Sequence, residues 1–174
     1  SSTGRFQAGM HLRRNTRLNC YNSVVAGWPI GLILDSEKGN TQKAATDGLL
    51  QLHRIVFAGT DLTGSDFNKV YKDELYDYKT KTTDPSKKSF SSTFFLLPAN
   101  GNKVVDQWVA RSWQGIQSII AASTSVGGAL QGSFAELQSN NWFDKSATFV
   151  GAFRDASDDW TAGWANFDPE NTIY

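Results

Sequence analysis

Residues Leu18–Gly27 (LNCYNSVVAG) and residues Leu50–Gly59 (LQLHRIVFAG) are two copies of one pattern, offset by 32 residues (position 18 to position 50). In each copy apolar residues alternate up to a central Asn22 or Arg54, and the alternation then restarts one residue out of phase. Two short strands joined at a one-residue bend produce this pattern. Because one such unit cannot bury its apolar stripe alone, the repeat predicts a parallel β-solenoid.

The phase of the repeat predicts which side chains share one interior. Equivalent residues of the two copies, such as Leu18 and Leu50, should lie beside each other on paired strands. Asn22 suits a left-handed bend, whereas Arg54 is a poorer residue for the same place. The predicted inward residues are Leu18, Cys20, Val25, Leu32, Leu50, Leu52, Ile55 and Phe57.

Two regions differ in pattern. Residues 1–60 predict the solenoid coils with a short helical insertion at Thr41–Gly48. Residues 61–174 predict an irregular helix and loop region that packs on the coils as part of one structural unit. Within it, Asp66–Tyr76 has the spacing of an amphipathic helix, Phe94–Leu97 predicts a strand or turn, and Gln117–Ser139 has no steady period. The many aromatic residues of the last third predict a second packing layer.

Bulk composition limits the possible functions. The 174 residues carry 17 basic and 17 acidic side chains, so no global field favours nucleic acid, and none is expected as a partner. No apolar run approaches the roughly 20 residues of a membrane-spanning helix. The single cysteine, Cys20, excludes an internal disulfide and a cysteine-based zinc cluster. The chain starts at Ser1 without methionine, so a leader could have preceded it.

Both ends of the chain resemble a known family. The segments Leu12–Val24, Gly27–Asp35, Phe149–Phe153 and Asp159–Pro169 are similar to the C-terminal part of secreted or lipid-anchored surface proteins of Bacteroidota with right-handed parallel β-helix repeats. The resemblance implies a mainly β fold, a right-handed parallel β-helix forming a partial solenoid, with short helices and an aromatic-rich C-terminal cap. It also implies an extracellular or outer-membrane location, and further N-terminal coils or a partner chain against the first coil. The family has no established activity.

Four residues are candidate ligand-binding positions: Trp28, His53, Asp35 and Glu37. Residues 35–40 place oxygen donors around a glycine as calcium loops do, but they lack the later bidentate glutamate, so a solvated turn is the alternative to a calcium site. No other cofactor and no metal is expected. His53 lies on the outward phase, where it could approach the second histidine, His11.

Tryptophans and carboxylates offer two further interpretations. An exposed indole can stack on a sugar ring, although packing is the commoner role of tryptophan. Trp160 and Trp164 are predicted to be buried as a structural clasp. Asp155, Asp158 and Asp159 form an acidic cluster of the kind that polysaccharide-degrading enzymes use, or an ordinary polar loop.

These observations favour a non-enzymatic cell-surface or secreted module, a scaffold or a glycan- or protein-binding component of a larger surface protein or complex. The alternative is a polysaccharide lyase or glycoside hydrolase with acidic residues on one outer face. No catalytic residue is assigned, because no sequence motif of a nucleophile, metal or phosphate site occurs.

Overall fold

The computed structural model describes residues 8–68, 70–72, 76–77, 82–83, 89–106, 116–167 and 169. The strands are β1 (Ala8–Arg13), β2 (Asn19–Tyr21), β3 (Val24–Ala26), β4 (Ile30–Asp35), β5 (Gln51–His53), β6 (Val56–Ala58), β7 (Leu62–Asn68), β8 (Val70–Lys72), β9 (Tyr76–Asp77), β10 (Thr82–Thr83) and β11 (Lys103–Val105). The α-helices are α1 (Thr41–Thr46), α2 (Phe90–Phe95) and α3 (Ile116–Gly127), and short 3-10 helices lie at Pro98–Asn100 and Ala135–Leu137.

The parallel strands form three short sheets. One sheet has the order β1-β4-β7, with β8 added antiparallel to β7. Among the described strands, the second sheet contains β2 and β5, and the third has the order β3-β6-β11. Strands β9 and β10 form a separate antiparallel pair.

The predicted right-handed parallel β-helix is wrong. The described strands form short parallel sheets of three, two and three strands, and none of these sheets closes. The repeat is not sustained, because β11 pairs with β6 at an offset of 47 residues (Val56 opposite Lys103) and no longer at 32. The residues that precede β11 form the 3-10 helix Pro98–Asn100, and no third strand is added to β2 and β5 among the described residues. Strand β7 continues into an antiparallel pair with β8.

The 32-residue register itself is confirmed. Cys20 lies opposite Leu52 and Val25 lies opposite Phe57, as the alignment of the two copies predicts. The bend residue is left-handed in both copies, with φ of 49° at Asn22 and 54° at Arg54. Arg54 therefore adopts the bend despite its side chain.

The interior of the sheets is the main apolar core. Its buried residues are Leu32, Leu34, Ala44, Ala45, Leu50, Leu52, Ile55, Phe57 and Phe95, and Cys20 and Val25 pack against them. The rings of Phe57 and Phe95 are stacked with centroids 4.0 Å apart. Leu18 is an exception to the prediction because it is exposed. Its equivalent, Leu50, follows helix α1 and donates its N–H to the carbonyl oxygen of Ala44, whereas the described residues before Leu18, 8–17, contain no helix.

Helix α2 covers the β4-β7 side of the core through close contact at Gly64. A Cβ atom on Gly64 would lie 2.8 Å from the backbone carbon of Ser91. The Asp66 carboxylate accepts hydrogen bonds from the N–H groups of Phe90 and Ser91 and from the Ser91 hydroxyl. Ser89 accepts the N–H of Ser92 and caps the helix. The absence of a side chain at Gly64 lets α2 approach β7, and the hydrogen bonds to Asp66 and Ser89 hold the first residues of the helix.

Two local predictions fail, the one at Phe94–Leu97 is partly correct because Leu96 lies in a turn, and one holds. The segment predicted as a helix at Asp66–Tyr76 contains the end of β7, then β8 and the start of β9, while residue 69 and residues 73–75 lie outside the described residues. The predicted strand or turn at Phe94–Leu97 contains the end of α2, and the predicted loop at Gln117–Ser139 contains α3. The predicted short helix in Thr41–Gly48 is confirmed as α1.

A second apolar cluster lies on the β3-β6-β11 sheet. Val56 and Ala58 pack there with Val126 of α3 and with Val150. The carbonyl oxygen of Asn22 accepts the N–H of Gly151 at 2.8 Å, so the chain after α3 is hydrogen-bonded to the bend between β2 and β3. This contact positions the C-terminal segment beside the first pair of strands.

Candidate ligand-binding surfaces

A row of aromatic rings begins at the β2-β5 sheet. Pairing of these strands sets Tyr21 opposite His53, and their rings stack with centroids 5.5 Å apart and planes 12° apart. Phe134 and Phe143 continue the row at 6.1 and 6.4 Å from Tyr21. Trp142 packs edge-on against Phe143 at 5.0 Å, and Trp142 is 84% exposed. The row of rings therefore extends from the buried Tyr21 in the sheet to the Trp142 indole, most of which is exposed to solvent.

Arg54 joins the bend between β5 and β6 to the segment 133–136. Its guanidinium binds the Glu136 carboxylate through two hydrogen bonds, from the two terminal nitrogens, of 2.9 and 2.5 Å. Its Nε donates to the carbonyl oxygen of Ser133 at 2.9 Å and to Asn22 Oδ1 at 3.1 Å. These Arg54 hydrogen bonds lower the pKa of Glu136 from its ordinary 4.5 to about 2.

Burial sets the protonation of the stacked pair. Desolvation lowers the pKa of His53, against the opposing effect of Glu136, so the imidazole is neutral at neutral pH. Its Nδ1 lies 3.6 Å from Glu136 Oε1 and makes no hydrogen bond within the described part of the chain. Desolvation also raises the pKa of Tyr21, whose hydroxyl donates to Gln51 Oε1 at 2.5 Å. The pair is an uncharged polar and aromatic surface.

Asp35 and Glu37, predicted as candidate calcium ligands, are held by basic side chains. The buried Asp35 carboxylate lies 3.1 Å from His11 Nε2 and 3.4 Å from Arg13 Nε. Its other oxygen accepts the N–H of Glu37 at 2.8 Å. Glu37 lies 3.9 Å from Arg13. Among the described residues no group of three or more histidine, cysteine or acidic side chains could hold a metal ion.

The four predicted site residues do not form one site. His53 belongs to the β2-β5 sheet, whereas Asp35 ends β4 in the sheet that contains β1. His11 lies on β1, so the predicted approach of the two histidines would have to span two sheets. Trp28 is half-buried in the connection between β3 and β4, and a Cβ atom on Gly9 would lie 3.2 Å from its ring.

Trp160 and Trp164 are exposed, so the predicted buried clasp is wrong. Their exposed fractions are 53% and 68%, and their rings lie 5.4 Å apart at an angle of 35°. Trp160 Nε1 donates to the carbonyl oxygen of Ala152 and Trp164 Nε1 donates to that of Trp160. The indole N–H groups are used within the chain while much of each ring stays in solvent.

Sequence reasoning missed Arg54 and Glu136 as neighbours of His53. In the sequence, position 54 stands out only as a poor bend residue, and no spacing connects it with a glutamate 82 residues away.

A shallow cavity of about 350 Å³ also lies between β11 and α3, lined by Val105, Asp106, Ser125, Val126 and Ala129. None of the four predicted site residues lines it.

Comparisons of this chain with protein-family models, with curated proteins and with solved structures find no match. Within the described residues, no helix has the length and apolar character needed to cross a membrane.

Proposed function

We propose that this chain is a non-enzymatic cell-surface or secreted module that binds a glycan or a protein within a larger surface protein or complex. The observation that supports it is the exposure of Trp142, Trp160 and Trp164, while the sheets bury their own apolar residues. Large aromatic side chains left in solvent forgo the free energy of burial, which a bound ligand or partner restores.

The surroundings of these tryptophans support binding over packing. Trp142 ends a row of rings rooted in a buried tyrosine, and Trp160 stands 6.1 Å from the buried Phe153. Rings supported from beneath lose little freedom on binding, which favours affinity. The resemblance of both chain ends to Bacteroidota surface proteins is the basis for the proposed location and for the larger assembly.

An enzyme acting on polysaccharides is the rival function. His11, Arg13, Asp35 and Glu37 do bring carboxylates and basic groups together, but the Asp35 carboxylate is buried and paired. General acid and base catalysis requires two carboxyl groups that flank a bound glycosidic bond. A buried, paired carboxylate is a poor candidate for that role. Calcium binding at Asp35 and Glu37 is a separate proposal. Titration of the protein with calcium ions would test it.

The test measures binding and turnover on the same samples. The intact protein is run in native gels containing polysaccharides, and the same polysaccharides are assayed for new reducing ends and for the ultraviolet absorbance of unsaturated products. A module gives retardation, or capture of a partner in surface extracts of the source cells, with no product. Release of either product at a rate proportional to protein concentration would contradict the proposal.

A further inference from the structure

We propose that Trp160 and Trp164 form a stacking platform for a neutral saccharide chain. The inference rests on the proposed binding function and names its ligand class and its site. Its basis is the combination of two exposed neighbouring indoles, a fixed ring geometry and the sign of the charges around them.

The two rings are held in place by their own chain. Trp160 Nε1 donates to the carbonyl oxygen of Ala152 at 2.8 Å, and Trp164 Nε1 donates to that of Trp160 at 3.0 Å. Because both indole N–H groups have partners, the rings present apolar faces to solvent. The apolar C–H face of a sugar ring is complementary to such a surface, as two stacked flat groups exclude the water between them.

The turn that carries the two indole rings is held by hydrogen bonds on both sides. Thr161 is buried and donates its hydroxyl to Asp159 Oδ1 at 2.6 Å, and its carbonyl oxygen accepts the N–H of Ala165. Ala152, the partner of Trp160, follows Gly151, which is bonded to the carbonyl oxygen of Asn22. The platform is therefore connected to the sheets, and little ordering is required when a ligand binds.

The charges of the segment that carries the platform disfavour acidic polysaccharides. Residues 153–167 contain three aspartates, at 155, 158 and 159, and one arginine, Arg154. The Arg154 guanidinium lies over the Phe149 ring at 5.7 Å. Hydrogen bonds from the Ser157 hydroxyl and N–H lower the pKa of Asp155, so its charge persists at neutral pH. A segment of net negative charge repels uronates, whereas carboxylate oxygens accept hydrogen bonds from neutral sugar hydroxyls.

The test compares neutral and anionic polysaccharides in affinity gels of the full chain. The neutral panel is hydroxyethylcellulose, laminarin, mannan and dextran, and the anionic panel is polygalacturonate and alginate. We expect at least one neutral polysaccharide to retard the protein and the anionic ones not to. Trp164→Ala should abolish the retardation, and Leu97→Ala, which removes an exposed apolar side chain outside the proposed binding surfaces, should leave it intact.

A second measurement covers the case in which Trp164→Ala unfolds. Titration of the parent chain with an oligosaccharide of the retarding polysaccharide should change its tryptophan emission, and Trp160→Phe, which keeps an aromatic ring at the platform, should make that change smaller. Retention of binding by folded Trp164→Ala, absence of an emission change, or stronger retardation by uronates would overturn the platform. Retardation by no polysaccharide would also overturn it, whereas the broader binding function would fail only if partner capture from surface extracts failed too.

Discussion

At the residue scale, a substitution of Leu52 tests which residues form the buried core. Its side chain is fully buried in the main core, opposite Cys20 on the paired strand. Leu52→Ala should destabilise the fold by about 2 to 5 kcal/mol, because the lost contacts leave a cavity. Leu49→Ala is the matched control, since Leu49 is 42% exposed and its loss should cost less than about 0.5 kcal/mol. Urea denaturation of both variants measures the difference, and equal midpoints would show that residue 52 is not in the core.

The Glu136 carboxylate gives a prediction of how folding stability changes at acidic pH. Its pKa is lowered to about 2 by Arg54, so its contribution to folding is fully present above about pH 4.5 and is lost as the pH falls toward 2. Glu136→Gln should therefore be less stable than the parent chain at pH 7, by roughly 1 kcal/mol for a partly exposed pair. The difference should vanish near pH 2.

The measurement is the unfolding free energy of parent and variant across pH 2 to 7. Glu37→Gln serves as the control, because the Glu37 carboxylate lies 3.9 Å from Arg13 and makes a longer contact than that of Glu136 with Arg54. A difference in unfolding free energy between the parent and Glu136→Gln that does not change with pH would mean that Glu136 does not stabilise the fold through its ion pair with Arg54.

Residues differ in how far sequence alone predicts them. The inward phase of Cys20, Val25 and Phe57 follows from period-two alternation, which the backbone geometry of a strand imposes. Leu18 is exposed although its equivalent Leu50 is buried, and the partner of Arg54 comes from a distant segment. Such contacts are decided by tertiary packing, which local pattern does not encode.

At the scale of elements, Gly64 controls the contact between β7 and α2. A Cβ atom there would approach the Ser91 carbon to 2.8 Å and Ser92 Cα to 2.9 Å, and the backbone of a capped helix cannot move aside easily. Gly64→Ala should therefore cost about 1 to 3 kcal/mol from overpacking. Hydrogen exchange at the amides of α2 should accelerate along with the loss of stability.

Gly48→Ala is the control for this prediction. Gly48 has φ of 73° and no atom near its missing Cβ, so alanine there should cost only about 1 kcal/mol, from the left-handed backbone. Unchanged exchange in α2 of Gly64→Ala would contradict the close-contact argument, because a helix able to shift without cost is not positioned by that glycine.

Element type was predictable where the pattern was local and unambiguous. Helix α1 begins after a polar loop and ends two residues before Gly48, and both signals lie in the sequence. The apolar spacing at Phe67, Val70 and Tyr71 fits a helical face, yet β7 is held as a strand by parallel pairing to β4 and antiparallel pairing to β8. Strand partners far along the chain overrode the local preference.

At the scale of the whole molecule, the first strands of the three sheets each have one edge that pairs with no described strand. Among the described strands, β1 and β3 end their sheets and β2 pairs only with β5. On β3, Gly27 donates its N–H to Ala58 and Ser23 accepts the N–H of Val56. Because successive backbone groups of a strand point to opposite sides, the N–H groups of Val24 and Ala26 are directed away from β6. An open row of this kind is a template for pairing with another strand.

The isolated chain should therefore associate as its concentration rises, through added strands at β1, β2 and β3. Ala26→Pro removes one outward N–H without removing a hydrogen bond to β6, so it should weaken association while leaving the urea midpoint close to that of the parent. Sedimentation velocity over a range of concentrations measures both proteins. A parent chain that stays monomeric at high concentration would argue against an open edge, and equal association of a folded Ala26→Pro would direct attention to the exposed tryptophans instead.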